Sequence, residues 1–533
     1  MRQRLRYKQN CYYYTTRCLP GLGIRQGRSV KAAEGDKLVG DMAEQSMETD
    51  SLLEKEVGWE NREHEKVLSR FLDEGKWKPT HTLHFAFAAM VWFSQGVLIT
   101  VDSLCFSAIQ KSFKLKDVEL GYYNAALAVG ILIGCMPTSL ADSMGRRPVF
   151  LAYVFATSVV ACLQGIASTY LQLLLLRLIL GISLAGVWLI TPTIIAESLP
   201  MKNRGFYLLL YCSFWPVGAS VAVGLSKLTL PRWRMTLSMS GLPTVVVAIL
   251  AYCFLPESAR FNIIKGRWAQ VKKYIKTKLL ADSVDANPRE LEQIPDAKLG
   301  ESSTSAIEKG KVNVIKASDR VEQNSCSKIW SESVGVLAKR PDQHCSFFAV
   351  ALTWFFVSGA SWGLSTWLPT IIERKEQGGK FGMDPFRVIL FNSACDCFSI
   401  ILGAFTVERL GRKPLLTFGF CGSAIFAFCL SFARGEIPTM ICSGLHQMTQ
   451  AIIWIVLAAF TAESFGTQLR SSVYALTNAF ARVSMIVSTI VTGVFIAKDV
   501  NAPIYIVGCL YVAGFFVTFA LPPETKGKTL KNY

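Results

Sequence analysis

Residues 141–148 read ADSMGRRP and residues 407–414 read VERLGRKP, so an acid, a glycine and two basic residues return at an offset of 266 positions. The register extends well past these eight residues. Glu197 in IIAESLPMKNRG falls on Glu463 in FTAESFGTQLRS, and Arg204 falls on Arg470, at the same offset. Charges held in register over that distance mark a duplicated unit. Long apolar blocks flank each copy, so the repeated unit is a set of membrane-spanning helices, and a parallel repeat of this kind places a binding site where the halves meet.

The composition agrees. Of 533 residues 51% are hydrophobic and only 18% charged, against about 25% charged in soluble domains. The apolar residues lie in blocks such as LAYVFATSVVACLQGIA, and about 20 such residues span the hydrocarbon layer at 1.5 Å each. Windows of that length place spans near 83-106, 121-141, 149-167, 170-191, 206-227, 236-256, 346-368, 386-406, 415-433, 438-460, 472-497 and 503-522. The expected fold is an all-α membrane protein with twelve transmembrane helices in two six-helix bundles, at 81-257 and 346-522. A tail (1-80), a polar linker (258-345) and a short C-terminal tail (523-533) complete the chain.

The linker is too rich in charge, Pro and Ser to bury a core. Its first part, RWAQVKKYIKTKLL, sets Trp268, Val271, Ile275 and Leu279 at helical spacing among lysines, the pattern of a helix on the membrane surface. The net charge of +17 does not point to nucleic acid, because Arg2, Arg4, Arg6, Lys8, Arg17, Arg25, Arg28 and Lys31 gather in the tail ahead of Glu34. Such an arm fits an organellar transit peptide, a disordered extension or translation from too far upstream. Glu48, Leu52 and Leu53 in ETDSLLEKE match an acidic dileucine pattern that sorting adaptors bind, or match it by chance. The fifteen cysteines are scattered through apolar segments, and Cys395 and Cys397 lack zinc-ligand spacing, so no metal, cofactor or disulfide framework is expected. Short loops divide Lys and Arg almost evenly; the flanks Lys66, Arg70, Lys76, Lys78, Arg260, Lys265, Lys339 and Arg340 favour cytosolic termini and linker. No phosphate-binding GxxxxGK[ST] loop is present, which disfavours an ATP-driven pump, and the spans exclude a soluble enzyme.

The repeated turns resemble the major facilitator superfamily, whose loop between spans 2 and 3 reads Gly-x-x-x-Asp-Arg-x-Gly-Arg-Arg. Asp142, Gly145, Arg146 and Arg147 match it, with Thr138 and Ser143 as departures; the second copy keeps Glu408, Arg409, Gly411, Arg412 and Lys413. LLLLRLILG with Arg177 and Gly181, LPESAR after span 6 and the terminal PPETKGKTL extend the likeness over about residues 80 to 530. Sugar porters share the last two segments, but span 7 here has none of the Gln or Asn with which they bind sugar hydroxyls. GVLITVDSLCFSAI, TWFFVSGASWGL and TAESFGTQLRSSVYALTNAFARVS are similar instead to the synaptic-vesicle-protein-like branch and its organic-ion and carboxylate-transporting relatives. The resemblance implies secondary transport of a small organic solute by alternating access. A receptor or scaffold of the same fold, and a sugar or organic-cation carrier, are the alternatives.

Charge inside the bilayer costs roughly 2.5–3.5 kcal/mol and needs a partner, a cavity or a use. Asp102 (span 1), Arg177 (span 4), Asp396 (span 8) and Arg482 (span 11) are such charges. Asp102 is either a hydrogen-bonded structural carboxylate or a proton carrier, the role of a similar acid in proton-coupled relatives. Asp396 is either a second proton site or the neutraliser of a nearby Arg. Arg482 lies too deep to snorkel and has no acid within a turn of its own helix. It must meet an acid such as Asp396 or face a cavity, where its planar fork suits a substrate carboxylate. Trp362 and Trp454 are candidate ligand walls, with Trp188 and Trp215 read as packing; Gln447 and Gln450, one turn from His446, line the cavity or simply their own helix. By resemblance Asp142, Gly145, Arg146, Arg147, Glu197, Arg204, Glu408, Arg409, Gly411, Arg412, Glu463 and Arg470 form a latch that parts as the halves rock.

Overall fold

The structure, a computed structural model, describes residues 79–139, 141, 144–199, 204–258, 261–262, 344–379, 382–465 and 467–524. The sorting pattern at Glu48, Leu52 and Leu53, the amphipathic stretch at 268–279 and Asp142 lie outside the described residues, as do the side chains of Arg204, Glu408 and Arg470.

The first half consists of α1 (Pro79–Phe113), α2 (Asp117–Gly134), α3 (Arg146–Leu163), α4 (Tyr170–Ser198), α5 (Arg204–Leu210), α6 (Phe214–Thr229), α7 (Trp233–Ser240) and α8 (Leu242–Phe254). The second holds α9 (His344–Ser365), α10 (Leu368–Gly379), α11 (Pro385–Leu410), α12 (Arg412–Phe432), α13 (Glu436–Ser464), α14 (Thr467–Ile496) and α15 (Ala502–Ala520). Helix is forced here, since a segment in lipid must satisfy its own backbone. Local signals set the ends: Thr169 caps α4 by accepting from the Gln172 N–H at 3.3 Å, and Asp384 caps α11 by accepting from the Phe386 N–H at 3.0 Å ahead of Pro385.

Eleven segments of the described residues are long and apolar enough to cross a bilayer, and one, Phe206–Phe254, has 49 residues. Straight, it would reach about 74 Å at 1.5 Å per residue, over twice the hydrocarbon thickness. It turns back at a short 3-10 turn, Leu230–Arg232, which contains Pro231. The chain therefore makes twelve crossings, the arrangement of the major facilitator fold. α1 outruns its expected span by four residues at its start and seven at its end, because its backbone bonding continues past the apolar block from Pro79 to Phe113.

Within the first half, glycines let backbones touch. A Cβ on Gly181 would stand 2.2 Å from the Leu127 carbonyl oxygen, and one on Gly130 2.2 Å from that of Leu178, so α2 and α4 cross through bare backbone. The halves meet along two seams, α2 against α14 and α6 against α11.

Candidate functional site

Arg482 stands on α14 beside the seam with α2, 9% exposed. Among the described residues it forms no ion pair, and Asp396 is not its partner. Its guanidinium lies 5.3 Å from the ring centre of Trp188, which α4 supplies from the opposite half. Trp188 in turn packs 6.0 Å from Trp215 on α6 and 6.2 Å from Trp362 on α9, and Trp215 lies 6.2 Å from Trp92 on α1. Two buried donors in this cluster, Arg482 Nε and Trp188 Nε1, have no acceptor among the described residues. A buried donor left unpaired costs about 1–3 kcal/mol, which a bound acceptor would recover. The sequence reads Trp188 and Trp215 as packing, which their ring contacts match, and gives Trp92 no role; the cluster forms only where α1, α4, α6 and α9 converge.

Asp102 is 2% exposed and held by two partners. Arg177 Nη2 on α4 pairs with Oδ2, and the Tyr123 hydroxyl on α2 donates to Oδ1 at 2.5 Å. The Arg177 guanidinium also rests 4.9 Å from the centre of the Tyr123 ring. The three helices of this triad belong to one half, and Arg177 Nε and Nη1 find no acceptor among the described residues. Tyr123 was legible in principle, since a phenol in an apolar span needs a partner.

The other expected residues divide. Asp396 on α11 lies near Gln447 on α13 and near Cys212 of the first half, which packs against Ile400 of the same helix. Gln450 accepts from the Tyr511 hydroxyl at 3.0 Å, Tyr511 meets Ser361 at 3.2 Å, and the Trp454 indole donates to Ser361 at 3.0 Å. Trp454 also sits edge-on to Trp354, so it and Gln450 are tied into the second half. His446 uses Nδ1 on the Ser423 carbonyl at 3.1 Å.

The repeated turns build the same object twice. Gly145 and Gly411 adopt φ 114° and 93°, a region that favours glycine, and start α3 and α12. The first N–H groups of each helix then point at a carboxylate from the end of that half. Arg146 N–H donates to Glu257 at 2.9 Å; Arg412 and Lys413 N–H donate to Glu524 at 2.9 and 2.8 Å. This explains LPESAR and PPETKGKTL physically: each glutamate caps a helix N-terminus. Arg146 pairs with Glu197 and Arg412 with Glu463, both at 3.1 Å, and each pair joins helices of one half. Arg409 is exposed at the end of α11.

The profile of the sugar (and other) transporter family matches residues 95–533. The niacin transporter NiaP of Acinetobacter baylyi is 26% identical over 447 residues, covering 83% of this chain and 93% of its own. The putative transporter svop-1 of Caenorhabditis elegans is 23% identical, covering 83% of this chain and 82% of its own. The fold superposes on the proton:xylose symporter XylE of E. coli with a TM-score of 0.57 at 19% identity, over 84% of this chain and 98% of that one.

Proposed function

Because the chain belongs to the sugar (and other) transporter family of the major facilitator superfamily and is a multi-pass membrane protein, we propose that it moves a small organic carboxylate together with a proton. The observation that carries this reading is Arg482: a guanidinium at the seam, without an acid among the described residues, on the face of a tryptophan from the other half. A carboxylate bound there accepts charge-assisted hydrogen bonds in a low-dielectric setting. It takes up the two orphan donors, and the aromatic walls of Trp188, Trp215 and Trp362 suit a flat organic body. That the NiaP relative carries niacin, a small carboxylate, supports the class.

The proton belongs to Asp102. Protonation removes the negative charge that holds Arg177, so the α1–α2–α4 triad has two charge states with different internal contacts. Alternating access needs such a two-state element biased by its cargo. One proton moving with a monoanion leaves no net charge transferred, so accumulation follows the pH gradient and not the membrane voltage. Asp396, near Gln447 and Cys212, is the next candidate for the same proton.

The test is uptake into proteoliposomes of organic anions, cations and sugars, each with and without an imposed pH gradient. Gradient-driven accumulation of carboxylates alone is expected. Uptake confined to cations or sugars would overturn the proposal.

A further inference from the structure

At the ends of α1 and α2 remote from the repeated turns, polar side chains cross from one half to the other. Asp117, the first residue of α2, takes both terminal nitrogens of the Arg374 guanidinium from α10: Nη1 lies 3.2 Å from Oδ2, and Nη2 contacts Oδ1. Gln110 of α1 donates to the same carboxylate at 2.7 Å. The neighbouring Glu373 accepts from the Ser107 hydroxyl. Arg374 further donates to the Ile496 carbonyl at the end of α14, at 3.3 Å.

α10 is itself anchored. Lys375 donates from Nζ to the Leu430 and Ser431 carbonyls at 3.0 and 3.4 Å, at the C-terminal end of α12, where a cation is favoured. Arg374 is thus presented on an arm braced within the second half, and its partner lies in the first.

Magnitudes single out this pair. Lys227 and Asp384 also reach across, but at 3.9 Å with Lys227 63% exposed, where a pair is worth little. Asp117 and Arg374 are 14% and 23% exposed and bidentate, the geometry in which charged hydrogen bonds count.

We propose that Asp117 and Arg374, with Gln110, Ser107 and Glu373 about them, form a gate that holds the halves together on the face remote from the repeated turns. The gate must part whenever that face opens. The proposal rests on alternating access but not on any substrate or on proton coupling. The gate adjoins the Asp102 triad through two helices: Ser107 follows Asp102 by five residues on α1, and Asp117 precedes Tyr123 by six on α2. Phe106 joins the two by touching both Tyr123 and Trp367 edge-on, each at 5.9 Å.

The test measures the opening directly and without substrate. Genetically encoded keto amino acids at the exposed positions Lys111 and Gln377 carry nitroxides and leave the fifteen native cysteines unlabelled. Electron–electron distances between them are recorded in nanodiscs. Asp117→Asn and Arg374→Gln should each raise the long-distance population about tenfold relative to the short one. The double variant should shift no further than either single, because both remove one interaction. Unchanged distances in Asp117→Asn, or effects that add in the double variant, would overturn the gate. Asp117→Asn is isosteric and decides alone should Arg374→Gln yield no folded protein. Carboxylate uptake in proteoliposomes separates the two proposals: its failure alongside a normal distance response removes the substrate reading and leaves the gate.

Discussion

At Arg482 the value of a side chain depends on geometry more than on charge. The guanidinium offers a planar fork, and lysine offers a point charge of the same sign. Arg482→Lys should therefore fold normally yet lower kcat/KM for the carboxylate about 30-fold, the equivalent of about 2 kcal/mol for a charged hydrogen bond. Full activity in this variant would show that the fork is not used. Asp102→Asn tests the other charge. The amide keeps the carboxylate's shape but cannot cycle a proton, so accumulation along a pH gradient should vanish while substrate exchange persists. It also leaves Arg177 buried without its counter-charge, an imbalance that costs about 3–5 kcal/mol when one partner of a buried pair is removed. A lowered melting temperature should accompany the lost coupling; unaltered pH-driven accumulation would take the proton away from Asp102.

Among the elements, the two repeated turns are alike in topology and unequal in tightness. A Cβ at Gly145 would lie 2.4 Å from Glu257 Oε2, whereas one at Gly411 would lie 3.0 Å from Glu524 Oε2. Both residues also have φ values costly for alanine, by roughly 1–2 kcal/mol. Gly145→Ala should thus lower thermal stability in detergent more than Gly411→Ala does, since it also pushes the Glu257 cap from the start of α3. Equal melting temperatures for the two would show that the caps contribute little. The ion pairs at these turns, Arg146–Glu197 and Arg412–Glu463, brace each half internally. A brace of this kind lets six helices move as one body, which rocking requires.

For the whole molecule, the seam between α2 and α14 packs backbone against backbone beside the proposed gate. A Cβ at Gly493 would stand 2.8 Å from the Asp117 carbonyl oxygen, too short to keep, and 3.3 Å from Trp367, a tight contact. Backbone cannot move aside as a flexible side chain can, so the halves themselves must separate. Gly493→Val should lengthen the distance between labels at Lys111 and Gln377 by a steric route that leaves the charges of Asp117 and Arg374 in place. An unchanged distance would mean that α14 absorbs the methyl groups by local bending.

Hydrophobic length and the duplicated charges of 141–148 and 407–414 were enough to determine twelve crossings in two related halves. These are local or periodic properties, written along the chain and enforced by the bilayer on any helix. The buried charges were visible for the same reason, because Asp102, Arg177, Asp396 and Arg482 interrupt apolar blocks. Their partners were not. Asp102 and Arg177 are 75 residues apart, Asp117 and Arg374 are 257 apart, and no spacing rule connects them. Whether Arg482 would meet Asp396 or face a cavity depended on which faces α4, α11 and α14 turn inward. Helix packing settles that by fitting glycine against backbone at Gly130, Gly181 and Gly493, and only the tertiary structure shows where the fit is made.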